Sequence, residues 1–272
     1  MQMVHVFIDV PAAQIPVMSW FWSAALGWRP GQPWERHPEF TNLEPPVGDT
    51  YVSLQTIAEG GPRIHVDFAV PDVEAARDRL AQLGADVGDP GDGWQVMASP
   101  GGMPFCLFAE APTFRCTPAV AWPEGHHSRL AQVSIDSPAA LHERERDFWV
   151  EATGWAFEPP GRSEFDGKLF PPDGGTVRLL LQRLGSDDPG TQTRAHLDLG
   201  TDDVAGEVER VRRLGAAVVG APPGVTGWVA LTDPAGMSFC VTGNSPDPPG
   251  DTDPPPPLTG HQLRVGSGGE SD

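Results

Sequence analysis

Lysine is nearly absent from this chain. Lys168 is the one lysine among 18 basic residues, and 37 acidic residues bring the net charge to -19. No basic run exists, which excludes binding along a phosphate backbone and with it a nucleic-acid role. Cysteine is scarce as well. Cys106, Cys116 and Cys240 make no disulfide framework, so a reduced, cytoplasmic protein is expected. No basic leader precedes an apolar stretch at the start, so no secretory signal is expected. The most apolar window, Val17 to Trp28, is too short for a membrane span and is interrupted by Ser19 and Ser23, so no membrane partner is expected. The chain also lacks a Gly-rich phosphate loop, a nucleophile elbow, a His-Glu-x-x-His pair and a Cys-x-x-Cys pair.

What it does contain is repetition. His5-Val-Phe-Ile-Asp9 is answered by Gln132-Val-Ser-Ile-Asp136, and Phe21-Trp22 with Gly27-Trp28 by Phe148-Trp149 with Gly154-Trp155, all at one constant offset. Arg63-Ile-His65-Val-Asp67 returns as Arg194-Ala-His196-Leu-Asp198 at a slightly larger offset, and Pro100 to Cys106 returns as Pro234 to Cys240 at one larger still. Rising offsets mean two homologous domains with small loop insertions. A shorter repeat lies inside the first, where His5 to Pro11 aligns with His65 to Pro71. Each domain therefore reads as two copies of one strand-helix-strands unit. If the copies pair about a pseudo-twofold axis, His5 and His65 face one shared cleft.

Residues 4–10, Thr50 to Ile57, Ile64 to Val70, Trp94 to Ala98 and Phe105 to Phe108 carry strand patterning. Ile15, Met18, Trp22 and Leu26 make one helix face closed by Gly27, and Asp72 is an N-cap for a helix through Leu80 and Leu83 that ends at Gly84. In the second half, Ser137-Pro138 opens a helix and Val204, Val208, Val211 and Leu214 stripe another. Pro30 to Pro46 reads as loop. The expected organisation is a first domain over 1–111, a linker over 112–127 with solvated His126 and His127, a second domain over 128–244 and a disordered tail over 245–272. The tail holds seven prolines and three aspartates between Pro246 and Pro257, which cannot bury apolar area. Length allows two cores of ordinary size.

A strand-helix-strands unit used twice per domain, with His on the first strand of a unit, resembles the vicinal oxygen chelate superfamily. His196-Leu-Asp-Leu-Gly-Thr-Asp-Asp-Val and Asp233-Pro-Ala-Gly-Met-Ser-Phe-Cys240 are similar to its glyoxalase-like group. The resemblance implies an α+β fold of two tandem domains, each made of paired βαβββ units whose curved mixed sheet surrounds a cleft. It also implies a divalent metal (Zn, Fe, Mn or Ni) held by His or Gln on one first strand, His on the other, and Glu on the last strand. Carried over, these positions are His5 and His65 in domain one, and Gln132 and His196 in domain two. The expected Glu is replaced by Cys106 and Cys240. Glu110 offers a substitute four residues past Cys106, on the same strand face, whereas Asn244 stands at the matching place in domain two.

Each of these residues has a structural reading beside the functional one. His5 and His65 are either ligands or hydrogen-bonded histidines lining the cleft. Cys106 and Cys240 also suit small buried hydrophobes. Asp67 and Asp198 either orient an imidazole or pair with Arg63 and Arg194. Gln55 and Gln182 match at the same offset as His5 and Gln132 and face the cleft in the superfamily, as ligand contacts or as exposed strand-end amides. Trp34, Trp94 and Phe108 supply aromatic surface for a flat or apolar ligand. The resemblance implies a small-molecule protein whose working cleft is in domain one, with lyase, isomerase or dioxygenase chemistry on a metal. The rival is a metal-free protein that sequesters a drug or metabolite, of the bleomycin-resistance type. Fused domains in a monomer and a homodimer both remain open.

Overall fold

The structure, a computed structural model, describes residues 1–109, 117–159, 165–172, 177–220, 227–244 and 246. Glu110, Cys116 and, apart from Pro246, the proline-rich tail lie outside the described residues.

Domain one runs β1 (Gln2–Pro11), α1 (Ile15–Leu26), β2 (Arg29–Pro33), β3 (Phe40–Glu44) and β4 (Val52–Ile57). The order then repeats as β5 (Arg63–Ala69), α2 (Val73–Gln82), β6 (Asp86–Pro90), β7 (Trp94–Ala98) and β8 (Pro104–Phe108). These strands make one sheet ordered β2-β3-β4-β1-β5-β8-β7-β6. The two first strands are antiparallel at its centre, and each lies parallel to the last strand of its own unit. The internal repeat is thus a pseudo-twofold, and equivalent strands flank it symmetrically.

Domain two repeats the plan after β9 (Val120–Ala121). Its first unit holds β10 (His127–Ser137), α3 (His142–Thr153), β11 (Ala156–Glu158), β12 (Phe165–Phe170) and β13 (Arg178–Arg183). Its second holds β14 (Arg194–Thr201), α4 (Val204–Arg213), β15 (Ala217–Gly220), β16 (Trp228–Thr232) and β17 (Ser238–Thr242). The sheet order is β11-β12-β13-β10-β14-β17-β16-β15, matching domain one strand for strand.

The helix signals act as expected. Asp72 caps α2 by accepting from the Ala75 amide at 3.0 Å, and its counterpart Asp203 caps α4 through Gly206 at 3.0 Å. Gly27 and Gly154 end α1 and α3 at φ 69° and 63°, the left-handed conformation that only glycine adopts freely. Three expectations need correction. Pro30 to Pro46 holds β2 and β3, not only loop; an outer strand tolerates proline because its outward N–H has no partner to lose. Ser137-Pro138 does not open α3: Leu141 donates to the Pro138 carbonyl in a turn, and the helix starts at His142. The segment expected as linker pairs β9 with the start of β10. In it His126 is buried, 2.8 Å from Glu207, and Trp122 lies 3.5 Å beneath the Arg210 guanidinium.

The two expected cores are one. α1 reaches across to domain two, where Phe21 and Trp22 pack on Phe239 and the Trp22 indole donates to Asp233 at 3.2 Å. α3 returns the exchange: Phe148 and Trp149 pack on Phe105, and Trp149 on Phe68. The buried apolar residues of both halves form a single continuous cluster. No helix among the described residues is long and apolar enough to cross a membrane.

Candidate functional site

Strand register decides what meets in the domain-one cleft. Across β1 and β5, His5 lies opposite Asp67, Phe7 opposite His65 and Asp9 opposite Arg63. Directly opposed residues share one face of a sheet. Parallel pairing adds Cys106 beside Asp67 and Gln55 beside Asp9. All eight line a cavity of about 440 Å³. His5 and His65 therefore look into one hollow, as the internal repeat requires.

The polar groups are arranged in two tiers. Asp9, almost fully buried, accepts from His65 Nδ1 at 2.8 Å and from Arg63 Nε at 2.8 Å. That fixes the His65 ring so that Nε2 faces inward, 3.6 Å from Asp67 Oδ1. Arg63 is thus the partner of Asp9, and Asp67 is left to the cleft. His5 Nδ1 lies 4.0 Å from Asp67 Oδ2. Donor atoms of His65, Asp67 and Cys106 fall within 4.8 Å of one another, and Asp67 Oδ1 is buried with no hydrogen-bond partner. Burial, with His65 adding to it, pulls the His5 imidazole down to about 4, so its ring is neutral and keeps a lone pair. Burial pushes the Asp67 carboxyl up to about 6. Burial and the Asp67 charge push the Cys106 thiol up. Burial alone would lower His65, but the Asp9 hydrogen bond and the charges of Asp9 and Asp67 outweigh it and raise it.

Aromatic walls enclose these groups. Phe7 stacks on His65 at 4.6 Å, and Phe108 stacks on His5 at 5.9 Å. Trp34 stands 5.0 Å from Phe40 and is fixed by its indole donating to Asn42 at 2.9 Å. Trp94 faces Phe40 at 5.9 Å and His37 at 5.1 Å. At the rim, Asp92 from the second unit pairs with Arg36 and with His37 from the first, the latter at 3.3 Å.

Every expected domain-one residue that the structure describes, namely His5, Gln55, Trp34, His65, Trp94, Cys106 and Phe108, lines this cavity. Sequence reasoning assigned no role to Phe7, Phe40 or Asp9. Asp9 was within reach, because it recurs as Asp136 in the quoted repeat.

The domain-two cleft has the same floor with other walls. Asp136 holds His196 Nδ1 at 2.6 Å, as Asp9 holds His65. His196, Asp198 and Cys240 converge within 4.8 Å as their domain-one counterparts do, and Asp198 Oδ1 is likewise buried without a hydrogen bond. Here, however, two further side chains bond to the floor. Gln132 and Ser134 donate to Asp198 Oδ2, His196 Nε2 lies 3.1 Å from Asp198 Oδ1, and Cys240 Sγ lies 3.5 Å from His196 Nε2. Burial lowers His196, but the charges of Asp136 and Asp198 and their hydrogen bonds outweigh it and raise it well above its ordinary value. Arg194 pairs with Asp188 and leaves Asp198 to this network. The cavity measures about 1240 Å³ and includes Gln182 and Asn244 in its lining. Ser134 replaces Phe7 and Thr242 replaces Phe108, so this half, expected to be the weaker copy, has the larger space.

The glyoxalase-like domain family model matches residues 5–108 and again 132–242. The chain belongs to that family. Its two matched segments, α+β sheets and central strand pairing make it a tandem member of the vicinal oxygen chelate superfamily. Among solved structures it is similar to the Mn(II)-bound glyoxalase from Novosphingobium aromaticivorans, at 17% identity and a TM-score of 0.59 over 89% of this chain and 81% of that one. A mutant 4-hydroxymandelate synthase from Streptomyces coelicolor is 15% identical with a TM-score of 0.58, over 90% and 93%. The 2,3-dioxygenase LapB from Pseudomonas sp. KL28 is 15% identical with a TM-score of 0.55, over 93% and 95%. At such identities the likeness is one of fold. No curated protein matches the sequence.

Proposed function

We propose that the domain-one cleft binds a divalent metal through His65, Asp67 and Cys106, with His5 completing the set, and acts there on a small molecule of flat, apolar shape. The observation that carries this reading is the convergence of those four side chains, with Asp67 Oδ1 buried, facing His65 Nε2 at 3.6 Å and without a hydrogen bond. A buried acceptor without a partner is costly, and a cation removes the cost. Asp67 offers the carboxylate that the last strand lacks, from the neighbouring strand, so Glu110 is not needed for it. The donor set suits the metal class: neutral His5, a His65 oriented by Asp9, one carboxylate and one sulfur, a combination matched to Zn and tolerated by Fe, Mn and Ni.

When bound, the metal would supply Lewis-acid polarisation of substrate oxygens. The chain's own residues do the rest. Asp9 holds the His65 proton at Nδ1. Trp34, Trp94 and Phe108 present apolar surface to a planar body and exclude water, and Gln55 offers a hydrogen-bonding amide in the same row as Asp9. The family comparisons support chemistry of the glyoxalase or dioxygenase kind, since a Mn(II)-bound glyoxalase and a dioxygenase share the fold.

A second reading has its own observation. Phe7 lies flat on His65 and edge-on to His5, filling space between the two imidazoles. Such crowding suits a metal-free protein that holds a drug or metabolite in an aromatic cleft. Metal content after purification without chelator separates the two. Stoichiometric metal in the wild type that is lost in both His65→Ala and His5→Ala supports the metal-dependent reading. Absence of metal from the wild type after incubation with Zn, Mn, Fe and Ni would leave the sequestering protein.

A further inference from the structure

We infer that the domain-two cleft is a second, separate binding site, for a small organic oxyanion such as a carboxylate or a phosphate ester. Lys168 is the key contact. The one lysine of a chain with net charge -19 stands on β12 in the cavity lining, opposite Leu180 of β13, which also lines it. One strand over, Arg178 is in register with Gln132 and so points to the same face. Three other arginines of this half have carboxylate partners: Arg194 with Asp188, Arg210 with Glu207, Arg213 with Glu124. Among the described residues no carboxylate forms an ion pair with Lys168 or Arg178.

Three further facts point to an acceptor from outside. Arg178 Nε is buried with no hydrogen-bond partner, and so is the indole Nε1 of Trp228, on the opposite wing of the same sheet. Two buried donors without acceptors are a cost that a ligand oxygen removes. The cations also disturb each other: burial and the Arg178 charge hold the Lys168 amine down, and burial and the Arg129 charge hold Arg178 down. Finally, the acids in the cavity do not neutralise these cations. Asp136 and Asp198 bind His196, Asp198 also accepts from Gln132 and Ser134, and Glu158 sits in register with Lys168 without an ion pair. One oxygen of Asp136 and one of Asp198 keep no hydrogen bond, and the charges of Asp198 and Glu158 offset only part of the burial of Lys168 and Arg178. Domain one has no such feature. Its register-equivalent of Lys168 is Asn42, whose carbonyl oxygen accepts from Trp34 and Ser53. The basic pair therefore distinguishes the domain-two cleft from that of domain one.

The test is calorimetric titration of the full chain with benzoate, phenyl phosphate and the uncharged benzyl alcohol. At least one of the two acids should bind with one-to-one stoichiometry, and benzyl alcohol about tenfold more weakly or worse. Which acid binds more tightly distinguishes a carboxylate from a phosphate ester. Lys168→Met should weaken the acid by about tenfold or more, while Lys168→Arg keeps the charge and stays within about threefold of wild type. Arg178→Gln should also weaken the acid, and it stands in for Lys168→Met if a thermal melt shows that variant unfolded. His65→Ala, which removes a proposed metal ligand of domain one, should leave acid binding unchanged. The inference is overturned if neither acid binds, if benzyl alcohol binds equally well, if the charge-removing variants match wild type, or if His65→Ala abolishes binding.

Discussion

The two clefts of this protein share a floor and differ in their walls. Both have a buried aspartate holding the Nδ1 of a histidine, a second aspartate facing Nε2, and a cysteine beside it. In both, one oxygen of that second aspartate is buried without a hydrogen bond, and in domain one the groups are hemmed in by aromatic rings. In domain two Gln132 and Ser134 donate to Asp198, the rings of Phe7 and Phe108 have no counterpart, and the cavity, which also reaches residues 62–64 of the other half, measures about 1240 Å³ against about 440 Å³. Duplication preserved the backbone register, which sets who faces whom. Divergence at single positions, Phe7 against Ser134 and His5 against Gln132, then sets what the floor meets: an aromatic ring and a second imidazole in domain one, a hydroxyl and an amide that donate to Asp198 in domain two.

The sharpest way to break the comparison is to attack what the halves hold in common. Trp22→Ala or Trp149→Ala, each a wholly buried ring seated on the other domain, should cost about 3–5 kcal/mol. Because the core is continuous, urea unfolding followed by tryptophan fluorescence and by circular dichroism should give coincident transitions in wild type and variants. Two separated transitions would mean that the halves fold independently.

Exchanging the divergent floor residue should have a smaller, asymmetric effect. Phe7→Ser removes a buried ring and should cost about 3 kcal/mol. Ser134→Phe enters the larger cavity and loses one hydrogen bond to Asp198, for about 1 kcal/mol. Equal costs in urea titrations would contradict the difference in space between the clefts.

A pH effect follows from the two exchanged tryptophans, whose neighbouring acids are buried. Burial raises both Glu145, which accepts from the Trp149 indole, and Asp233, which accepts from Trp22. A carboxyl raised in the folded state binds its proton more tightly there than in the unfolded chain. Stability should therefore fall as the pH rises from the ordinary values, 4.5 and 3.8, through the folded ones. Glu145→Gln and Asp233→Asn, always neutral, should each remove part of that slope. Unfolding free energy measured across this range should be flatter in both variants, and an unchanged slope would refute the assignment.

The smallest effect should be the most symmetric. Asp72→Ala and Asp203→Ala remove duplicated N-caps and should each cost roughly 1 kcal/mol by the same assay.

Much of the floor was legible in the residues because the repeats report it twice. A histidine and an aspartate recurring at one offset on alternating strands must fall on equivalent positions, and the shorter internal repeat places His5 and His65 about one axis. The outer strands were less legible. β2 is rich in proline and glycine, and its edge position, which only the assembled sheet defines, is what makes those residues tolerable. His126 read as a solvated linker residue because its partner Glu207 is 81 positions away. Lys168 stood out only by its rarity, since periodicity carries no information on which residues lack partners.

The amino-acid order by itself determined that there are two homologous halves, each built from two like units, and which strand positions correspond. Periodicity and repetition are local or translational properties, and a linear string records them completely. Tertiary structure decided the rest: that the helices cross over to make one core, that Arg63 goes to Asp9 so that Asp67 is left facing the cleft, and that the halves differ in room. Those outcomes depend on how side chains distant in the chain compete for the same partner and the same space, and only the assembled sheets set that competition.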